Sequence, residues 1–201
     1  MEHPSEIKPE PRRRNLEQTK DRILQAAADT FTASGYAKAG LREIGARAGV
    51  APSLVSRYFG SKAALFEAAL VHVLHANSVF TWRKEGFGEA MARMISERSN
   101  TNIAIMLVTA LADSEAREIA RRVSREHMIQ PLVDWLGPPH ALERAMDLFS
   151  LMTGFTIQMR GLHEGAIPEV SLAWLAKSLQ EIVEDTAANG RDRIPKTKGR
   201  A

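Results

Sequence analysis

The chain has 201 residues, of which 44% are hydrophobic and 25% are charged, which is typical of a folded protein with an apolar core. It contains no cysteine, so disulfides, zinc–thiolate sites and thiol catalysis are excluded. The net charge of +3 is unevenly distributed, with +4 on residues 1–62, −5 on residues 63–189 and +4 on residues 190–201. A basic N-terminal segment on an acidic body indicates a polyanionic partner at one end of the molecule.

The two ends of the chain are polar and basic. We interpret residues 1–15, which hold three prolines and the run Arg12-Arg13-Arg14, as a disordered basic arm, and residues 190–201 as a disordered basic tail. Non-specific attraction to phosphates suffices to explain the arginines, and reading of a DNA groove by the arm is the alternative. No segment has the apolar pattern of a signal peptide or a membrane span, so we expect a cytoplasmic protein.

Helical periodicity and glycine breaks predict four helices from residue 19 to about residue 79. They span residues 19–34, about 41–48, about 52–59 and 62 to about 79. The second and third are too short to be stable alone, and a glycine turn separates them. This pattern is typical of a helix-turn-helix held between longer helices. We therefore predict a DNA-binding domain over residues 16–78.

The second short helix has the composition of a helix that reads DNA. Its apolar residues can pack inward on one side, and an arginine on the other side can bind guanine with about 1–3 kcal/mol of discrimination. A solvated helix face is the alternative interpretation. Four hydrogen-bond donors that suit phosphate oxygens or base edges point away from the apolar side: Ser53, Ser56, Arg57 and Tyr58.

The chain beyond residue 78 is also helical in pattern, so we predict an all-α protein. A second helical domain covers residues 79–189, and Gly137-Pro138-Pro139 is a clear stop within it. No alternating strand pattern occurs. The predicted helices of this domain span residues 87–98, 103–111, 113–136, 141–162 and 169–188.

Residues 19–66, about a quarter of the chain, resemble the DNA-binding domain of the TetR family of transcriptional regulators. The similarity is an ordered series across four helices rather than one motif, and it is therefore specific. The residues that carry it include Thr19-Lys20-x-Arg22-Ile23-Leu24, Gly35-Tyr36, Leu41-Arg42-Glu43-Ile44, Ala48-Gly49-Val50 and Tyr58-Phe59-Gly60-Ser61-Lys62.

The resemblance implies which side chains contact DNA. Tyr58 and Lys62 match phosphate-contacting positions, and Arg42 matches a DNA-facing position. Two positions depart from the family pattern: Gly40 replaces a threonine that caps the second helix and offers a hydroxyl, and Ser56 replaces an aromatic residue. The predicted DNA-binding residues are Arg42, Ser53, Ser56, Arg57, Tyr58 and Lys62.

The resemblance also implies a small-molecule effector of unknown identity and a homodimer. The last two long helices, about residues 141–162 and 169–188, are apolar over a wide arc and are the predicted dimer surface, with burial inside the chain as the alternative. Methionine adapts to varied ligands, although core packing is its simplest role. The predicted effector-binding residues are Met106, Met152, Phe155 and Met159.

These features predict a repressor that binds a palindromic double-stranded DNA operator as a dimer and is released by the effector. The alternative is a helical interaction module or an enzyme that keeps the fold without binding DNA. His72 and His75 have a metal-binding spacing without a third ligand, and Glu126-His127 lacks a nucleophile. No phosphate-binding loop or hydrolase motif occurs, so we expect no enzyme, cofactor or metal.

Overall fold

The computed structural model describes residues 11–76, 83–97 and 102–185, which form helices and no strand, so the predicted all-α class is confirmed. None of the helices in these ranges is long and apolar enough to cross a membrane. The α-helices are, in chain order, α1 (Pro11–Lys38), α2 (Leu41–Ala48), α3 (Pro52–Phe59), α4 (Lys62–Ala76), α5 (Phe87–Ser96), α6 (Asn102–Ala110), α7 (Ser114–Ser124), α8 (Gln130–Leu136), α9 (Ala141–Thr156) and α10 (Glu169–Glu184).

Helix α1 begins inside the segment predicted as a disordered arm. Residues 11–15 are helical, because proline suits the first turn, where its missing N–H has no helical partner, and arginine is a good helix former. Residues 1–10 of the predicted arm and the predicted tail at 190–201 lie outside the described residues. At the other end, Gly35 adopts φ 70° and ψ 168°, so the helix changes direction where the sequence predicts its end.

One apolar core lies beneath the helix-turn-helix, and both predicted domains contribute to it. Helices α1 to α4 surround it, and α6 and α7 complete it, so the core extends across residue 78. Its buried residues include Ile23, Phe31, Ile44, Leu65 and Phe66 from the first four helices, and Met106, Ala110, Ile119 and Val123 from α6 and α7.

A second apolar core is built by α5, α8, α9 and α10. Gly88 on α5 allows a close approach between helices in it, because a Cβ atom there would lie 2.0 Å from the carbonyl oxygen of Ala176 on α10. The amide N–H of Gly88 donates to the side-chain oxygen of Gln180 at 3.0 Å, and the Gln180 side chain donates to the Lys84 carbonyl at 3.0 Å. Helix α10 is therefore held directly against α5.

The long helix predicted over residues 113–136 is helical but contains a wider turn. Asp113 caps it as expected, since its carboxylate accepts the Ala116 amide N–H at 3.0 Å. A π-helical turn at Arg125–Ile129 then precedes Pro131. Proline has no N–H to donate, and in a regular helix its ring would meet the carbonyl of His127, so a wider turn relieves the conflict.

Arg144 on α9 is a buried cation that binds backbone oxygens. Its side chain is 2% exposed and donates to the carbonyls of Ile182 at 2.9 Å, Pro139 at 3.1 Å and Gly137 at 3.3 Å, and also to that of Val183. The carbonyls near a helix C-terminus carry partial negative charge, so a cation is favourable there. Arg144 thus joins α9, the loop after α8 and the last turn of α10.

Candidate nucleic-acid interface

Helices α2 and α3 form a helix-turn-helix whose bounds match the sequence prediction. Gly40 precedes α2 in an extended conformation, and no side chain caps the helix there; only the Gly40 carbonyl accepts the Ile44 N–H, at 3.1 Å. The turn between the helices is closed by the backbone, where the Val50 N–H donates to the Gly45 carbonyl at 2.9 Å. The two short helices are therefore fixed relative to each other.

The inner faces of α2 and α3 anchor them to the first core. Ile44 and Val55 are fully buried, while Leu54 and Phe59 are half-buried. Ser61 begins α4 as a cap, because its hydroxyl accepts the Ala64 amide N–H at 3.0 Å. This packing leaves the opposite face of α3 free to meet a partner.

The structure brings the six predicted DNA-binding residues to α2, α3 and the first residue of α4. Three of the six are basic side chains, and the others carry hydroxyl groups, so the surface offers donors to anionic oxygens. Four of them are exposed, Arg42, Ser53, Ser56 and Arg57, and two are half-buried, Tyr58 and Lys62.

Lys20 on α1 belongs to the same surface, and sequence reasoning missed it as a site residue. Its Nζ lies 5.8 Å from the centroid of the Tyr58 ring, in cation–π range. The sequence holds Lys20 within the family-like motif, but only the packing of α1 against the helix-turn-helix brings it to Tyr58. Lys20 therefore adds a further cation beside α3.

Lys62 is held by two contacts at the start of α4. Its Nζ donates to the Ala37 carbonyl at 3.1 Å and lies 4.7 Å from the centroid of the Tyr36 ring. The Tyr36 hydroxyl donates to a carboxylate oxygen of Glu115 at 2.5 Å. Burial raises the pKa of Tyr36 above its usual value, and the hydrogen bond to Glu115 and the negative charges of Glu115 and Asp113 raise it further.

The structure does not bring the four predicted effector-binding residues together. Phe155 and Met159 line an open groove of about 540 Å³ between α9 and α10. Met152 packs against the second core, whereas Met106 is fully buried in the first core.

The predicted dimer helices carry both buried and exposed apolar side chains. Leu148 of α9 and Leu175, Leu179 and Val183 of α10 are buried within the chain, with α5 packed against α10. Large exposed hydrophobic residues nevertheless concentrate on α9, on α10 and between them: Leu142, Met146, Leu162, Val170 and Trp174.

A helix-turn-helix that presents an exposed, donor-rich helix α3 on an all-helical body defines a DNA-binding regulator. Residues 23–69 match the family described as bacterial regulatory proteins, tetR family. Residues 85–185 match the tetracyclin repressor-like C-terminal domain. The chain therefore belongs to the TetR family of transcriptional regulators.

Solved structures of low sequence identity share this fold. A TetR family transcriptional regulator from Pseudomonas syringae pv. tomato str. DC3000 matches with a TM-score of 0.61 and 19% identity, over 83% of this chain and 95% of its own. A transcriptional regulator from Rhodococcus sp. Rha1 has a TM-score of 0.58 and 23% identity, over 82% and 93% of the two chains. The fatty acid degradation regulator FadR from Bacillus halodurans has a TM-score of 0.58 and 17% identity, over 81% and 96%. None of the curated proteins matches the chain.

Proposed function

We propose that the chain is a transcriptional repressor that binds a palindromic operator as a homodimer and is released by a small-molecule effector. The observation that carries the proposal is the exposed outer face of α3 with Ser53, Ser56 and Arg57, to which α2 adds the cation Arg42 and the start of α4 adds Lys62. Such donors bind phosphates for position and base edges for sequence. Binding to an operator requires a cytoplasmic location.

The apolar surface on α9 and α10 supports pairing of two copies. Leu142 is 54% exposed, Met146 50% and Trp174 55%, and burial of such side chains against a second copy removes apolar area from water. A two-fold axis through this surface gives a dimer with two α3 helices, which read successive major grooves when they lie about 34–36 Å apart. The operator is accordingly an inverted repeat.

The effector belongs to the C-terminal half in this proposal. Phe155 and Met159 line the groove between α9 and α10, and Met152 lies in the adjoining second core, which makes these three the effector-binding candidates. Met106 would contact only an effector that reaches the first core. By thermodynamic linkage, if the effector lowers the affinity for DNA by some factor, bound DNA lowers the affinity for the effector by the same factor.

The experiment that tests DNA reading is selection of bound sequences from a random duplex pool by the purified full chain. We expect enrichment of one inverted repeat. Arg57→Ala together with Lys62→Ala should abolish that enrichment and lower the salt dependence of binding, while Arg121→Ala, an exposed arginine on α7, should leave both unchanged. Recovery of no enriched sequence would favour a helical interaction module instead.

A separate experiment tests the dimer surface. Leu142→Glu should convert a dimer into a monomer in sedimentation, because it places a charge in an apolar interface. Leu111→Glu is the matched control, since Leu111 has the same exposure of 54% and lies at the end of α6. Dissociation by the control alone would place the interface elsewhere.

A further inference from the structure

Three side chains from three helices form a continuous series between the C-terminal half and the DNA-facing surface. Glu115 lies in the first turn of α7, Tyr36 in the last turn of α1 and Lys62 at the first residue of α4. The Tyr36 hydroxyl donates to Glu115 at 2.5 Å, and the Lys62 Nζ lies 4.7 Å from the centre of the Tyr36 ring. Residue 115 belongs to the part of the chain that matches the C-terminal family domain.

The chemistry of the series lets one end act on the other. A phenol that donates a short hydrogen bond to a carboxylate shifts electron density towards its ring, and a cation over that ring is then bound more strongly. Lys62 uses one N–H on the Ala37 carbonyl at 3.1 Å, and an ammonium has three donors. The N–H groups that do not face the ring or Ala37 therefore stay available for phosphate oxygens, from a fixed position.

We propose that Tyr36 is a positioning residue through which Glu115 sets the place of Lys62, and with it the affinity for DNA. The inference rests on the proposed function, because it assigns a phosphate contact to Lys62. A shift of the first turn of α7 would separate Glu115 from Tyr36 and release the Lys62 ammonium. The series thus gives the C-terminal half a direct mechanical and electrostatic connection to one DNA-binding side chain.

The direction in which a charge-removing substitution changes the affinity for DNA tests the proposal. The probe is a short random-sequence DNA duplex, whose phosphates suffice for Lys62, and the measurement is its Kd by fluorescence anisotropy at low salt. Removal of an acidic residue ordinarily strengthens binding to a polyanion. We expect Glu115→Ala to weaken binding about three- to tenfold, and Tyr36→Phe to change it in the same direction. Glu118→Ala, which removes the same charge from an exposed site one turn further along α7, should not weaken it.

A double-mutant cycle assigns the effect to Lys62. In a Lys62→Ala background, Glu115→Ala and Tyr36→Phe should each change the Kd by less than about twofold, because the side chain that they position is gone. Tighter or unchanged binding by Glu115→Ala in the parent chain would overturn the proposal. Equal weakening in both backgrounds would also overturn it.

A measurement without DNA separates this inference from the proposed function. The ring current of Tyr36 should shift the ε-methylene protons of Lys62 upfield in the NMR spectrum of the free protein. Glu115→Ala should move these resonances towards their ordinary position, while Glu118→Ala should leave them in place. A shift that persists in Glu115→Ala would overturn the positioning role even where DNA binding is observed. Failure of all variants and of the parent chain to bind duplex DNA would instead refute the proposed function and, with it, the consequence for DNA affinity.

Discussion

The backbone of Gly88 on α5 lies against Ala176 on α10 so closely that a Cβ atom at residue 88 would come 2.0 Å from the Ala176 carbonyl oxygen. The two helices meet through backbone at this point, without intervening side chains. Because α10 also carries part of the proposed dimer surface, the position of that surface depends on this contact.

Gly88→Ala should destabilise the fold, because the obstructing atom belongs to backbone and cannot rotate away. We expect a loss of about 1–3 kcal/mol in the free energy of unfolding, measured by denaturant titration at fixed protein concentration. Glu89→Ala, at the next and exposed position of α5, should change it by less than about 0.5 kcal/mol. Equal stability of Gly88→Ala and Glu89→Ala would mean that α5 and α10 lie further apart.

Arg144→Lys should also destabilise the chain, although it conserves the charge. A guanidinium donates in several directions at once, whereas one ammonium cannot serve the carbonyls of Ile182, Val183, Gly137 and Pro139 from a single place. The carbonyls left without a donor should lower the free energy of unfolding by about 1–3 kcal/mol. Arg121→Lys, on exposed surface, is the matched control, and no difference between the two variants would refute a structural role for Arg144.

Alkaline pH should weaken the fold through Tyr36. The pKa of Tyr36 is raised in the folded chain by burial and by Glu115, so above the ordinary pKa of about 10 the unfolded chain loses a proton that the folded chain keeps. The contribution of Tyr36 to the free energy of unfolding is therefore fully present below about pH 10. Above that pH it falls by up to about 1.4 kcal/mol per pH unit. The free energy of unfolding should fall less steeply in Tyr36→Phe.

Ultraviolet titration offers a direct check of the same group. The chain has two tyrosines, Tyr36 and Tyr58, so the difference between the titration curves of the parent chain and of Tyr36→Phe isolates Tyr36. We expect phenolate to form above the ordinary range for tyrosine. Ionisation near pH 10 would show that Tyr36 is open to water and lacks the carboxylate beside it.

Lys20→Ala should weaken DNA binding evenly across sequences. Lys20 stands beside Tyr58 on the proposed DNA-binding surface, and a lysine that neutralises a phosphate contributes affinity without selecting a base. The slope of log K against log salt should decrease by about 1. Lys177→Ala, an exposed lysine on α10, should leave the slope unchanged, and an unchanged slope in Lys20→Ala would remove Lys20 from the interface.

Single glycine and proline residues explain why the approximate bounds of the helix-turn-helix were predictable from the sequence. Pro52 marks the start of α3, and Gly49 and Gly60 follow the ends of α2 and α3. Individual residues therefore indicate where these two helices begin or end. Features that depend on residues distant in sequence were not predictable. Tyr36 and Glu115 are 79 positions apart, and no local pattern connects them.

Apolar periodicity does not tell whether a helix packs inside its own chain or against a second copy. The spacing of Leu175, Leu179 and Val183 indicates a buried stripe but not its partner, which is α5 of the same chain.

Gly45 on α2 is a residue whose role only the structure explains. From helix propensity alone, a glycine inside a short helix lowers its stability by about 1 kcal/mol. A Cβ atom at residue 45 would, however, lie only 3.0 Å from the Val50 carbonyl oxygen, so the tight turn favours glycine there.

The core that α6 and α7 complete beneath the helix-turn-helix bears on how hybrid regulators can be assembled. A chimaera joined at residue 78 would place foreign residues where Met106, Ile119 and Val123 now fill the base of the DNA-reading unit. It would also separate Tyr36 from Glu115. A hybrid that keeps α1 to α4 must therefore also keep α6 and α7. Otherwise the other parent must supply side chains of matching volume and a carboxylate at the position of Glu115.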